Sequence, residues 1–533
     1  MKSRPHASPH ARAPAPPRDR AWLAVPIFSA AMAALWIVFG QLAVGTMNDD
    51  DISRYFLARR AFGEPSLLIH LWGRPLFMLL YVLPARLGYG GVEFVTAIVS
   101  GLTLLVTTRL ARAAGVRAAL LAAAFTAFQP FVFRMGYSAL AEPLAALCLA
   151  LALWLGLTGR FALSVLAAGV LPLARLEMAP IVLLLLLPAI HARRWRLVPL
   201  AAAPLVLWSV GGTIAEGDPF WLPNAILHGR MTRSLPPLPV TNYFRSFPLV
   251  TGGVILPLFL VGLVRGRRLD ELKGRRDLLR AVFGVQFVVL VLLGWDKIPF
   301  GASIGYLRHF VAIGPVIGVL AAHGFERWES AREERVRQFV AATAGLLWAV
   351  AMHALRAGRF VWEHPSNLAA EPWIWSAGGI AGYAWLLWTG SLPRAARAAG
   401  FAILAAAAVM IAEPPMGLSG ERLAVKHIVE TTREPRYAGR LIAMNHPWFA
   451  FLDGGDPHDR SRYAPMTQES LAALPPGSLV AWDTHFSHRL SGDVPPEYFR
   501  THSGEYRLVT RETVGAPFPF AMFLFEKVAF SGP

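Results

Sequence analysis

The chain has 533 residues, 55% of them hydrophobic and 16% charged. Apolar runs of about 18 or more residues recur along it, the length needed to cross a hydrocarbon core of roughly 30 Å. Its net charge of +17 does not mark a nucleic-acid binder, because Arg and Lys gather in the short connections between apolar runs, as the positive-inside rule expects. One cysteine, Cys148, excludes an intrachain disulfide.

The apolar runs are continuous rather than alternating, so helices are expected to satisfy their own backbone in lipid. The predicted fold class is an all-α polytopic membrane bundle. Residues 1–20, rich in Pro, Ala and Arg, read as a disordered basic cytoplasmic tail. The run 21–44 exceeds a signal-peptide core of about 7 to 15 residues and reads as a retained span with the N-terminus inside. It delivers the outer loop 45–90, MNDDDISRYFLARRAFG and onward, with Asp49, Asp50 and Asp51 at the water edge. The apolar part of 66–87, broken by Gly73-Arg74-Pro75 and Pro84, reads as re-entrant or interfacial.

Spans follow near 91–108, 118–134, 139–157, 161–174 and 178–190, ending in the basic HARRWR. Another at 197–214 leads to the polar loop 215–247, and 248–264 returns to RGRRLDELKGRR. Those near 278–294, 307–323, 338–354, 373–390 and 397–412 bring the count to about thirteen for the membrane part 21–412. An odd count puts 413–533 outside, which in a bacterial inner membrane is periplasmic. The strand-like runs at 478–483, 506–510 and 520–530 predict a small α/β domain there.

This topology collects the unusual ionisable residues at one face: Arg134, Tyr137 and Glu142; Arg175 and Glu177; Glu216, Asp218, His228, Arg230 and Arg233; Asp296, Lys297, Tyr306, Arg308 and His309. Ionisable groups at membrane depth are functional-site hypotheses by default, although one near a span end can snorkel to water. Each has a plainer reading. Asn48 followed by three acids is also a helix cap with acids in the first turn. Asp50 and Arg54 make an ordinary i,i+4 pair. His70 and Trp72 suit an interfacial belt, and Glu142-Pro143 suits a helix start. Arg134, Arg175 and Glu142 are placed to meet. No phosphate loop, nucleophile elbow or Cys/His metal spacing is present. His446, His485 and His488 read as surface or loop histidines, and no metal ligands are assigned.

The order of motifs resembles the GT-C superfamily, polytopic glycosyltransferases that use polyprenyl-phosphate sugars, with a mannosyltransferase-like pattern. The resemblance rests on the acidic first loop running into RYFLARRAFG, the W-x-R-P element of Trp72 and Arg74, YSALAEPLAALCLALALWL, LARLEMAP and YLRHFVAIGPVIG. It implies a multi-pass inner-membrane enzyme that passes a sugar from a polyprenyl-phosphate carrier to a hydroxyl-bearing acceptor (lipid, glycan or protein) with inversion. Asp50 would be the general base, with Asp49 and Asp51 as the other candidates, since the family's acidic pair is a triple here. Arg308, with Arg54 or Arg175, would hold the phosphate, and His70 and Glu142 would orient substrate. Arg74, Tyr306 and His309 complete the expected binding set, His309 standing where the family has Tyr. A divalent cation, Mg2+ or Mn2+, bridging Asp49 or Asp51 to the phosphate is compatible with these residues but not demanded by them. The competing readings are a lipid-linked sugar ligase or polymerase of another fold, and a non-enzymatic transporter or flippase. The latter would place ionisable residues near mid-membrane in both halves.

Overall fold

The computed structural model describes residues 21–231, 240–265, 272–294, 306–330, 334–356, 372–490, 493–515 and 519–529. Helices dominate: α1 (Ala21–Leu42), α2 (Asp49–Ala61), α3 (Pro75–Tyr81), α4 (Tyr89–Ala113), α5 (Ala119–Ala127), α6 (Pro130–Met135), α7 (Glu142–Leu157), α8 (Phe161–Ala174) and α9 (Ala179–His191). Then come α10 (Ala203–Glu216), α11 (Trp221–Met231), α12 (Asn242–Thr251), α13 (Leu256–Leu263), α14 (Lys273–Gly294), α15 (Gly314–Ser330), α16 (Arg335–Arg356), α17 (Pro372–Trp388) and α18 (Arg394–Ala412).

By length and composition, 6 helical stretches among the described residues can cross a membrane, and the pair α12 and α13, bent by 112°, makes up to 7. Three more, at α7, α8 and Leu176–His191, are apolar but shorter. The chain is therefore a multi-pass membrane protein; the sequence-based thirteen counts several of these shorter pieces as full spans. Proline and glycine explain where the runs break. Pro130 follows α5 at once and begins α6, because the residue before proline is driven out of the helical region. Gly252, at φ 74°, ends α12, a backbone conformation that costs glycine nothing. As expected, 66–87 does not span: it forms a 3-10 turn at Pro65–Ile69, the seven-residue α3 and another turn at Pro84–Leu87.

After α18 the chain folds as an α/β unit: α19 (Gly420–Thr432) and α20 (Pro447–Asp453) beside a five-stranded sheet of order β2-β1-β3-β5-β4. Here β1 is Ile442–Ala443, β2 Tyr463–Ala464, β3 Leu479–Asp483, β4 Tyr506–Val514 and β5 Phe520–Lys527. The β1 strand is parallel to both neighbours, and β3, β5 and β4 are antiparallel, with a bulge between Leu508 and Thr510. The first loop packs into this unit. Ile52, Tyr55 and Phe56 of α2 share one apolar cluster with Val425, Ile428, Trp448, Leu479 and Met522. Phe451 meets Tyr55 and Phe56 edge-on, with ring centroids 6.3 and 6.5 Å apart. Burying that surface fixes α2 between the membrane helices and the sheet.

Candidate functional site

Three consecutive carboxylates open α2, and a helix turns about 100° per residue, so each meets different surroundings. Asp51 points inward and is fully buried. Its Oδ2 accepts the backbone N–H of Asn48 at 3.3 Å, one half of a capping box. Burial, more than any neighbouring charge, raises its pKa to about 7. The capping reading thus holds for Asp51, which is sealed from any substrate and drops out as a candidate base. Asp49 turns toward the C-terminal unit, 3.8 Å from Arg422 and 3.9 Å from His485. Burial, and then Glu421 beside it, raise its pKa above the usual carboxylate value. Asp50 pairs with Arg308: its Oδ2 lies 2.5 Å from Arg308 Nη2, with its side chain still 32% exposed.

Glu142 is the hub behind Asp50. It opens α7 with Pro143 directly after it, where its charge suits the helix N-terminus and the proline's missing N–H costs nothing. Fully buried, it gathers guanidinium groups from three other places: Arg175 at 2.9 Å, Arg308 at 3.3 Å and Arg54 at 3.9 Å. Arg175 sits in extended backbone between α8 and the 3-10 turn Leu176–Met178 and grips Glu177 through Nε and Nη2, at 2.6 and 2.5 Å. Both contacts end on Glu177 Oε1 and are charge-assisted. Arg308 lies on the 3-10 segment Leu307–Ile313 that leads into α15, its guanidinium 4.1 Å from the Tyr306 ring centroid, a cation–π distance. Arg54 stacks 5.2 Å from the Trp72 ring.

Most of the expected set therefore assembles: Asp50, Arg54, Glu142, Arg175, Tyr306 and Arg308. His309 is buried beside the Tyr306 ring, with centroids 5.9 Å apart. Arg74 joins at the edge, donating to Leu71 O at 3.2 Å from a backbone at φ 65°. Such a conformation in a non-glycine residue is costly and concentrates at functional sites. Burial first, then neighbouring Arg175, lowers Arg74 to about 10, and burial lowers Arg54 as well. Both remain cations at neutral pH in a place that resists cations.

Other expectations are corrected. His70 is exposed, and its Nδ1 accepts the Gly73 N–H at 3.2 Å, closing the turn before α3. Arg134 does not meet Glu142 but pairs with Glu413 at 3.0 Å, both buried. Asp218 caps its own loop, accepting from the Phe220 N–H at 2.8 Å. The side chains of His228, Arg230 and Arg233, and the corner Asp296-Lys297, lie outside the described residues. The largest miss is in the C-terminal unit. His446 is fully buried, not a surface histidine, and its Nε2 lies 3.0 Å from Glu421 Oε1. His485 Nδ1 meets the same oxygen at 2.7 Å. Burial alone would raise Glu421, but hydrogen bonds from the two imidazoles outweigh it and hold the carboxyl well below its usual value. The three residues are 25 and 39 positions apart in sequence, so no spacing motif could reveal them.

Fold and site together define a class: a multi-pass membrane protein whose first loop carries an accessible carboxylate against a buried cluster of arginines, roofed by a small α/β unit. Two solved structures share this fold. ArnT from Cupriavidus metallidurans bound to undecaprenyl phosphate superposes with a TM-score of 0.61 over 97% of this chain and 100% of that one, at 14% sequence identity. The same protein in the apo state gives 0.59 over 96% and 99%, also at 14% identity. No family model and no curated protein matches the sequence.

Proposed function

We propose that this protein is an integral-membrane glycosyltransferase that moves a sugar from a polyprenyl-phosphate carrier to a hydroxyl acceptor at the outer, periplasmic face of a bacterial inner membrane. The observation that carries the reading is the cluster itself: among the described residues Arg54, Arg74, Arg175 and Arg308 gather around Glu142 and Glu177 beside the reachable carboxylate of Asp50. Buried cations that lower one another call for an anion, and arginines bind phosphate through paired donors. The sequence resemblance names the same carrier, and the ArnT structure was solved with undecaprenyl phosphate bound.

In this mechanism the donor phosphate takes Arg308 from Asp50, freeing that carboxylate at the moment of substrate entry. Asp50 accepts the proton of the acceptor hydroxyl as its oxygen attacks the anomeric carbon. The bond from that carbon to the phosphate oxygen breaks, and the arginines receive the charge that develops on the departing polyprenyl phosphate. One displacement inverts the anomeric centre. Glu142 holds the arginines in place and takes no proton.

The test is mass spectrometry of envelope lipids and glycans from a strain lacking the gene, complemented with wild type or Asp50→Asn, alongside transfer assays that try a mannosyl carrier first. A sugar-bearing product lost on deletion, restored by wild type and not by Asp50→Asn is expected, with activity down about 100- to 10,000-fold, the usual contribution of a general base. An unchanged envelope, or full rescue by Asp50→Asn, overturns the reading.

A further inference from the structure

The triad Glu421, His446 and His485 has no part in that chemistry, yet its ligand atoms all lie within 4.8 Å of one another. Two imidazole nitrogens and one carboxylate oxygen are the donor set that suits Zn2+. They come from three separate elements: Glu421 from the first turn of α19, His446 from the residue capping α20, and His485 from the turn after β3. His446 is fully buried, while Glu421 and His485 are about a quarter exposed, which leaves one side of the cluster open to an ion.

The surroundings fit a held cation. His446 is packed against Phe486 and Phe520, centroids 4.7 and 5.9 Å away, and Phe486 also flanks His485 at 4.5 Å. These rings limit solvent access, as the apolar shell around a metal site does. On the open side stands Asp49, 3.9 Å from His485 Nδ1, on the helix that carries Asp50. We propose that Glu421, His446 and His485 form a Zn2+ site within the C-terminal unit, its remaining position facing Asp49 of α2.

With protons in place of the cation, His446 Nδ1 accepts the Trp448 N–H at 3.3 Å, so Nε2 carries the hydrogen that reaches Glu421. Zinc at Nε2 moves that hydrogen to Nδ1, and the long bond to Trp448 is given up. Through Asp49 the site adjoins α2, the helix that carries Asp50, without touching the reacting sugar.

The experiment reads metal and stability, so its outcome is independent of the glycosyltransferase reading. Full-length protein purified in detergent is stripped with chelator, titrated with zinc chloride alone, and followed by metal content and thermal unfolding. One equivalent of zinc per chain, a Tm lowered by chelation and restored by zinc, and no restoration by magnesium are expected. Glu421→Gln and His485→Ala should each weaken zinc binding beyond the roughly 10- to 100-fold cost of disturbing a ligand's supporting hydrogen bond. His458→Ala, remote from the cluster on the exposed side of the same unit, should bind as wild type does. Absence of stoichiometric zinc in the wild-type protein, equal restoration by magnesium, or undiminished binding by both triad variants overturns the site. The wild-type chelation result decides the matter even where a variant fails to fold.

Discussion

At the scale of single residues, the instructive contrast is between neighbours. Asp49, Asp50 and Asp51 are identical in a string of letters, and only the helical turn of α2 sends them to a histidine cluster, an arginine and the interior. Asp51 offers the cleanest check. Its folded pKa, near 7, lies above the 3.8 of an unperturbed carboxyl, so the folded state holds a proton that the unfolded chain has already released. Stability from this group is therefore fully present below about pH 4 and declines as pH rises toward 7. Asp51→Asn removes the penalty of charging the buried group and can still accept from the Asn48 N–H. Its Tm should exceed that of wild type by an amount that grows between pH 4.5 and 8. Each pH unit of that displacement is worth about 1.4 kcal/mol, so even a third of it gives a gain of more than about 1 kcal/mol at pH 8. Thermal scans at the two pH values settle the point, and equal Tm values at pH 8 would remove Asp51 from the interior. Transfer activity should survive this substitution. The sequence showed which residue types matter but not which of three adjacent carboxylates faces the arginines, since rotation about a helix is set by what α2 packs against.

Elements explain why the arginines converge. Glu142 was legible as a helix start followed by proline, and its partners were legible as charges at span ends; that one carboxylate would serve three of them depends on how α7, α8 and α15 are packed. Replacing Glu142 with Gln leaves Arg54, Arg175 and Arg308 buried around a neutral group. Removing one member of a buried ionic set costs about 3–5 kcal/mol, so Glu142→Gln should unfold well below wild type in detergent. A Tm within a degree of wild type would mean the hub is not holding those cations. The placement of Arg308 depends further on α15, which meets α13 with no room to spare: a Cβ on Gly324 would lie 1.9 Å from Leu258 O, and one on Gly262 1.9 Å from Leu320 O. Small residues that let two membrane helices approach backbone to backbone are a general device. Gly324→Ala should cost about 1–3 kcal/mol, as overpacking does. Gly284→Ala in α14, where a Cβ meets nothing within 4 Å, should be neutral or mildly stabilising, since alanine is the better helix former. Matched thermal or denaturant melts of the two variants test this, and similar losses in both would refute the close-packing account. Glycines inside apolar runs gave no hint of this on their own, because the contact is made by a helix about 60 residues away.

For the whole molecule, what counts is that the described candidate-site residues gather at one end of the bundle. Arg175 precedes α9, whereas the basic Arg193, Arg194 and Arg196 follow it, a helix of 13 residues later, or about 20 Å. At that far end Arg109 and Arg160 flank the Trp154 ring at 5.0 and 5.5 Å, with Arg160 opening α8 and Arg175 closing it. The near end holds α2, Arg308 and, through the shared apolar cluster, the C-terminal unit. This polarity was legible in the sequence because lipid forces charges to span ends and the cytoplasmic side favours Arg and Lys. The clasp between α2 and the sheet was not legible, since it joins residues about 400 positions apart. If the basic end is cytoplasmic, Arg507 on β4 and Arg194 after α9 must lie on opposite sides of the membrane. Cysteine introduced at each, as Arg507→Cys and Arg194→Cys, separates the cases with a membrane-impermeant maleimide, the native Cys148 lying half-buried within α7. In intact spheroplasts Arg507→Cys should label, and Arg194→Cys should label only after the membrane is permeabilised. Equal labelling of both without permeabilisation would place the two ends on one side and dissolve the common face on which Asp50, the arginines and the histidine cluster meet. The reverse pattern would keep the fold but turn the site toward the cytoplasm, where the carrier headgroup would have to be presented from the inner leaflet.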